Sequence, residues 1–251
     1  MLSLPTSGRI GEDLVGRCSV AWPGRNTIPA VREERIENNG IPGRLYDPGD
    51  ARGLLLLGHG GGRSKDTDRF VSLSRQYAED TGLAVVCIDA VDHGERKPSN
   101  VSADIPPRWH SSVATEMVAD WQKTAAALSS VGSAVAYVGF SMGAIFGALT
   151  VAAMPSIKAA VFVVGGIPSG GGIDDPPLGA MLLDAASKLV EPQVLMVNMT
   201  HDEVFSSEGT HTFFDAIPGP NKRLMFWEGN HDDWPVEAIS QSVAFLKLHA
   251  V

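Results

Sequence analysis

The chain has 251 residues, of which 44% are hydrophobic and 20% are charged, so it is long enough to bury a full core in one domain. The net charge of −9 argues against binding to nucleic acid or to an anionic membrane, because both call for basic patches. No apolar run in the sequence approaches the roughly 20 residues that a membrane-spanning helix needs.

The features that bear on cellular location favour the cytoplasm. The first six residues, MLSLPT, lack the basic segment and the long apolar run of a signal peptide. The two cysteines, Cys18 and Cys87, are too few for a disulfide framework. Cys87 lies inside an apolar run, and we expect it to be buried as a small hydrophobic residue.

Short apolar runs alternate along the chain with segments of helical periodicity, which predicts βαβ units and a mainly parallel sheet flanked by helices. The first two predicted strands, at 31–36 and 44–46, are joined by a hairpin-type turn at 38–40 and form an antiparallel edge. The later strands are predicted at 54–57, 83–88, 134–140, 159–164, 194–198 and 223–227. Helices are predicted at 67–81, 112–128, 142–153, 178–190 and 235–248. We therefore expect one α/β domain over residues 1–251, with its active site at the carboxyl ends of the strands.

One segment interrupts this alternation. Residues 165–177 are rich in glycine and proline and are predicted to form a loop, and a short amphipathic helix follows at 178–190. Residues 166–192 could therefore form a small lid over the active site. A flexible connection is equally compatible with this composition.

The sequence GFSMG at residues 139–143 predicts a nucleophilic serine. It joins a predicted strand to a predicted helix, which places Ser141 at the apex of a sharp, strained turn. The flanking glycines, Gly139 and Gly143, leave room where the strand and the helix meet closely. The serine hydroxyl would lie at a helix N-terminus, where the backbone N–H groups favour a developing negative charge.

A nucleophilic serine needs a histidine base, and a carboxylate must orient that histidine. Of the seven histidines, His231 is favoured because it follows the last strand in a tight-turn sequence, Gly-Asn-His. Asp202 is the leading acid because it follows the preceding strand, and its neighbour Glu203 is the alternative. Asp232 and Asp233 lie too close to His231 in the sequence to orient it easily, and we expect them to cap the final helix.

The glycine-rich sequence GHGGG at residues 58–62 predicts an oxyanion hole. Backbone N–H groups of Gly60 or Gly61 can approach a ligand oxygen without hindrance from side chains. One of them would bind the oxyanion together with the N–H of Met142, the residue after the serine.

Two other interpretations of these segments are weaker. The glycine loop is not a nucleotide-binding loop, because neither Gly-Lys-Ser/Thr nor Gly-x-Gly-x-x-Gly is present. Residues 201–203 and 231–233 could supply metal ligands, but a catalytic triad uses the same residues more economically. We therefore expect neither a metal nor a cofactor.

Four further residues on loops at the predicted active edge are candidates for the substrate-binding pocket. They share large apolar side chains, which as a set indicate an apolar acyl or alcohol pocket. They are Trp109, Ile167, Phe205 and Trp234.

With these motifs in place, the chain resembles an α/β-hydrolase from about residue 31 to its end. The order Ser141, Asp202, His231 matches the order of nucleophile, acid and histidine in that fold. The resemblance implies a mostly parallel central sheet flanked by helices, with a small cap or none.

More narrowly, the chain is similar to the dienelactone hydrolase-like esterases. The similarity lies in LLGHGGG, ending at Gly62, and in VCID followed by DHGER, ending at Arg96. In that branch the second stretch is mainly structural, which implies the same role here. Dienelactone hydrolase itself is expected to carry cysteine at the nucleophile position, where this chain has Ser141, so serine fits a carboxylesterase better.

The sequence therefore predicts a serine hydrolase that cleaves a small or medium carboxylic ester through an acyl-enzyme. A thioesterase, a lactonase, or an amidase or peptidase would use the same triad, because the fold does not set the substrate. A non-catalytic binding protein is the alternative from another class. The expected partner is a small-molecule ester, and a homodimer through the N-terminal strands is a further option.

Overall fold

Eight strands and six α-helices are present in the computed structural model, which describes residues 31–99, 110–168 and 176–251. The strands are Arg32–Asn38 (β1), Ile41–Asp47 (β2), Leu54–Gly58 (β3), Ala84–Ile88 (β4), Ala134–Phe140 (β5), Ala159–Val163 (β6), Gln193–Met199 (β7) and Lys222–Trp227 (β8). The helices are Asp68–Thr81 (α1), Ser111–Ala127 (α2), Met142–Ala153 (α3), Pro176–Lys188 (α4), Ser207–Ala216 (α5) and Val236–His249 (α6). Within these ranges, no helix is both long and apolar enough to cross a membrane.

All eight strands form one sheet in the order β1-β2-β4-β3-β5-β6-β7-β8. Strand β2 is antiparallel to both of its neighbours, β1 and β4, and the other adjacent pairs are parallel. The prediction of a mostly parallel α/β sheet with an antiparallel N-terminal edge is confirmed. The turn between β1 and β2 has positive φ at both Asn39 (54°) and Gly40 (75°), as a two-residue hairpin turn requires.

The core lies on both faces of the sheet, which explains why the central strands are wholly apolar. Along β3, Leu54 and Leu56 belong to the cluster that α2, α3 and α4 cover. Leu55 and Leu57 point to the opposite face and pack in the cluster that α1 and α6 cover. Because successive side chains alternate between the two faces, both sets must be hydrophobic.

Helices α5 and α4 differ from the prediction made from the sequence. Helix α5 was not predicted, because its ten residues bury only Thr210 and Phe213 and so show little apolar periodicity. Helix α4 begins two residues earlier than predicted and buries Leu178, Leu182 and Ala186 in the flanking layer. Residues 169–175 lie outside the described part of the chain, so the possible lid at 166–192 stays a prediction.

Helix α3 packs unusually closely on β3 and β5, and this contact positions the segment around Ser141. A Cβ added to Gly143 would collide with the backbone of Gly58, and one added to Gly139 would collide with Gly143. One turn along the helix, a Cβ on Gly147 would collide with the ring of Tyr137. The Tyr137 hydroxyl donates a hydrogen bond of 2.8 Å to the Gly143 carbonyl, which ties the helix to the strand.

The close packing of α3 predicts opposite effects of one substitution in two helices. Gly147→Ala should destabilise the protein by about 2 kcal/mol, because the methyl group meets a fully buried ring. Gly179→Ala should stabilise it by about 0.5–1 kcal/mol, because nothing lies within 4 Å of the added Cβ and alanine favours a helix. Urea unfolding of both variants tests this, and equal effects would show that the α3 contact is not tight.

Candidate active site

Ser141 lies between the end of β5 and the start of α3, in a backbone conformation that residues other than glycine rarely adopt. Its φ is 53° and its ψ is −114°. The conformation is held by a hydrogen bond of 2.9 Å from the Ser141 N–H to the carbonyl of Val163 at the end of β6. Strain of this kind persists only where the surrounding structure enforces it, and it is frequent at functional sites.

The Ser141 side chain contacts the histidine that the sequence favoured. His231 Nε2 lies 2.8 Å from Ser141 Oγ, although the two residues are 90 positions apart in the sequence. His231 lies in the loop after β8, and the indole N–H of Trp234 donates a hydrogen bond of 3.0 Å to its carbonyl. The backbone of the loop is thereby fixed next to the imidazole.

Asp202 binds the other side of the imidazole. Its two carboxylate oxygens lie 2.9 and 3.0 Å from His231 Nδ1. The Asp202 side chain is fully buried, and the backbone N–H groups of Val204 and Phe205 donate to it over 2.8 and 2.9 Å. A carboxylate only accepts, so Nδ1 carries the proton and the Nε2 lone pair faces the serine.

The alternative acids have other roles in this structure. Glu203 accepts a hydrogen bond from the backbone N–H of His231 over 3.3 Å, not from the imidazole. Asp233 accepts from the backbone and the side chain of Asn230, and these hydrogen bonds lower its pKa. The expectation that Asp232 and Asp233 cap the final helix is wrong, because Pro235 is the N-cap of α6 and no side chain caps it.

The groups expected to form an oxyanion hole lie around the serine. Met142 is the first residue of α3, so its N–H has no acceptor within the helix. Gly60 lies against the serine, since a Cβ added to it would be 3.7 Å from Ser141 Cβ. Gly60 and Gly61 line the same cavity as Ser141 and His231.

His59 fixes the orientation of the peptide between Gly60 and Gly61. Its Nδ1 donates to the Gly60 carbonyl over 2.9 Å, and its Nε2 accepts from the Ala90 N–H over 3.0 Å. The carbonyl and the N–H of a trans peptide point in opposite directions, so the Gly61 N–H points away from the His59 ring. Complete burial lowers the pKa of His59 to about 4, and it is therefore neutral near pH 7.

A buried lysine ties the same loop to the segment that follows β4. Lys65 Nζ donates to Asp66 over 2.8 Å, to Asp89 over 3.0 Å and to Glu95. The Lys65 backbone N–H also donates to Asp89. Burial alone would lower the pKa of Lys65, but hydrogen bonds to the three carboxylates raise it above its ordinary value. Residues 89–96 thus anchor the glycine loop, in keeping with the structural role expected for them.

A cavity of about 210 Å³ opens beside Ser141 and His231. Of the four candidate pocket residues, Trp234 lines this cavity and Trp109 lies outside the described residues. Phe205 is buried and stacks on the His231 ring at 5.7 Å, and Ile167 packs against the core, so neither lines it. The remaining lining was not predicted from the sequence and consists of Arg63, Thr67, Arg69, Phe70, Phe140, Val164 and Asp232.

The described residues offer no group of three or more His, Cys, Asp or Glu side chains arranged to hold a metal ion. The groups that meet at this site are the serine, the imidazole, the buried carboxylate and the backbone N–H groups. Together these can deprotonate a hydroxyl and stabilise an oxyanion.

The chain belongs to the alpha/beta hydrolase family, whose model matches residues 54–242. No curated protein sequence matches it significantly. Neither finding addresses the dienelactone hydrolase-like branch, and that narrower resemblance stays a prediction.

Several solved structures share the fold at low sequence identity. A PEG-bound novel cold-adapted esterase from an Arctic intertidal metagenomic library has a TM-score of 0.72 at 22% identity, over 88% of this chain and 94% of that one. TT1662 from Thermus thermophilus has a TM-score of 0.70 at 23% identity, over 87% of this chain and 97% of that one. The Pyrococcus furiosus esterase Pf2001 has a TM-score of 0.68 at 15% identity, over 88% of this chain and 93% of that one.

The burial of His59 predicts a pH dependence of stability. The unfolded chain binds a proton on His59 below about pH 6.5, whereas the folded protein does so only near pH 4. The free energy of unfolding should therefore fall by up to about 3 kcal/mol on this account as the pH drops from 6.5 to 4. In His59→Asn, the part of this decrease in the free energy of unfolding that comes from His59 should be absent.

Chemical denaturation at a series of pH values measures the effect. The exposed His201 supplies the control, since His201→Asn should keep the slope of the wild type. An unchanged slope in His59→Asn would show that His59 titrates normally in the folded protein.

Proposed function

We propose that the protein is a serine esterase that cleaves a carboxylic ester through an acyl-enzyme. The observation that carries this is the continuous hydrogen-bonded chain from Asp202 through His231 to Ser141, which ends at the wall of a cavity. Two of the solved structures that share the fold are described as esterases, which supports the choice of an ester as substrate.

The reaction begins when Ser141 Oγ attacks the ester carbonyl carbon. His231 Nε2, 2.8 Å away, takes the hydroxyl proton as the new bond forms. The carbonyl oxygen becomes an oxyanion, and the N–H groups of Met142 and Gly61 stabilise it. When the C–O bond to the alcohol breaks, His231 returns the proton to the leaving oxygen. A water molecule then attacks the acyl-enzyme by the same steps, which releases the acid and restores the serine.

Each supporting group is fixed before substrate binds. The buried Asp202 carboxylate holds the His231 tautomer and stabilises the imidazolium that forms in both steps. The strained turn at Ser141 presents its hydroxyl at the N-terminus of α3, where the helix dipole also favours the oxyanion. His59 keeps the Gly61 N–H turned away from its own ring, so this donor needs little reorganisation.

The triad assignment predicts how three variants behave with 4-nitrophenyl butyrate. Ser141→Ala should lower kcat by about 10⁶-fold because it removes the nucleophile. Asp202→Asn should lower kcat by about 10⁴-fold because the histidine is no longer held in the correct tautomer. Glu203→Gln should stay within about threefold of the wild type, because Glu203 accepts from the backbone N–H of His231 and not from its imidazole.

Steady-state kinetics on folded variants checks this assignment. If Glu203→Gln caused the large loss of kcat and Asp202→Asn did not, Glu203 would be the acid of the triad. An active Ser141→Ala variant would rule out the acyl-enzyme.

A further inference from the structure

One wall of the cavity beside Ser141 carries two guanidinium groups that the ester chemistry does not use. Arg63 follows the glycine loop directly, and Arg69 lies in the first turn of α1. Both line the cavity that also contains Ser141 and His231. A neutral ester gives no reason for two positive charges at this place.

The charge of these arginines is only partly balanced. Arg63 Nη2 lies 3.6 Å from a carboxylate oxygen of Asp232, and the two side chains are 49% and 65% exposed, so the pair is weak. Arg69 donates to the backbone carbonyl of Asp232 over 3.2 and 3.3 Å, and does not bind its carboxylate. Asp233 also acts on Arg69 through its charge, but without a close ion pair, so neither guanidinium group is bound closely by a carboxylate.

The neighbouring acids make their hydrogen bonds to other groups. Asp202 is bonded to His231, and Asp233 accepts from Asn230 while acting on Arg69 only through its charge. Arg96, which lies outside the cavity, is matched more closely, at 2.8 Å from Asp120 and 2.9 Å from Glu116. The two guanidinium groups of the cavity wall thus lack the close carboxylate contacts that neutralise Arg96.

Arg69 is also held in place for binding. Its guanidinium carbon lies 3.4 Å from the centre of the Trp234 ring. The Trp234 ring in turn packs against Phe140, with the ring centres 4.5 Å apart. Stacking and the bonds to Asp232 leave other N–H groups of the planar fork to donate. Burial lowers the pKa of Arg69 and Arg63 adds to the lowering, whereas Asp232 and Asp233 oppose it. The guanidinium stays charged at neutral pH.

We propose that the cavity selects short-chain esters that carry a carboxylate, which Arg63 and Arg69 bind while Trp234 packs against the carbon skeleton. This preference presupposes the esterase activity proposed above. A carboxylate is the planar anion that paired guanidinium N–H groups fit best, and the aromatic walls suit the apolar part between the anion and the ester. Asp232 then acts as a competitor that the substrate carboxylate displaces from Arg63.

The test compares charged and uncharged esters of matched size. One pair is the 4-nitrophenyl monoester of adipic acid and 4-nitrophenyl hexanoate, with the carboxylate on the acyl side. The other pair is 3-acetoxybenzoate and phenyl acetate, with the carboxylate on the alcohol side. The wild type should prefer the charged member of at least one pair. Arg63→Gln and Arg69→Gln should each lower the ratio of kcat/KM, charged over uncharged, by about tenfold or more.

Two further variants sharpen the comparison. Asp232→Asn should raise the ratio, because it removes the competing carboxylate. Arg75→Gln is the matched control, since Arg75 is paired with Glu33 away from the cavity, and it should leave the ratio unchanged. Arg63 is exposed in a loop, so its variant tests the idea even if Arg69→Gln fails to fold.

Binding separates this preference from the esterase activity itself. Free adipate should bind Ser141→Ala in isothermal titration calorimetry, and at least tenfold more weakly when Arg63→Gln is added. Ester hydrolysis with a ratio that both arginine variants leave unchanged would overturn the anion preference and leave the esterase standing. Arginine-dependent adipate binding without hydrolysis of any ester would overturn the esterase and leave the anion site standing. If no ester is hydrolysed and adipate does not bind, both proposals are overturned.

Discussion

The close contact of α3 with β3 and β5 is the constraint on which the site depends. Glycines at 58, 139 and 143 let the helix backbone approach the two strands to a distance that any side chain would prevent. The chain must therefore reverse sharply between β5 and α3, which forces Ser141 to a φ of 53°. The same contact brings the N-terminus of α3 beside the loop that follows β3. The serine and the expected oxyanion donors thus owe their proximity to a single packing requirement.

The loops around this contact are fixed by polar groups that water does not reach. His59 and Lys65 hold the glycine loop against the end of β4, and the buried Asp202 carboxylate orients His231. Buried polar groups of this kind are stable only when fully hydrogen-bonded, so the network permits few alternative arrangements. The cavity wall differs, because Arg63 and Asp232 are exposed and weakly paired. The part of the site proposed to select substrate is thus the part that can exchange its partners.

Much of this fold could be predicted from the sequence, because runs such as 54–57 are buried on both faces and are therefore apolar throughout. The contact between Ser141, Asp202 and His231 followed from their places after strands of a parallel sheet. Helix α5 and the true role of Asp233 could not be predicted, since α5 buries few residues and Asn230 competes for the carboxylate. The cavity arginines, Arg63 and Arg69, look like ordinary surface charges in the sequence. Only the fold places both in the wall of the cavity, with Arg69 over the Trp234 ring.

Labelling of the intact protein with a fluorophosphonate, followed by peptide mass spectrometry, tests the central claim most directly. The reagent reacts with a serine only where a base activates the hydroxyl and N–H donors stabilise the oxyanion. The expected result is one adduct, located on Ser141 and formed much more slowly in Asp202→Asn. A folded wild-type protein that gains no adduct, or gains it on another residue, would contradict the assignment of Ser141 as the nucleophile.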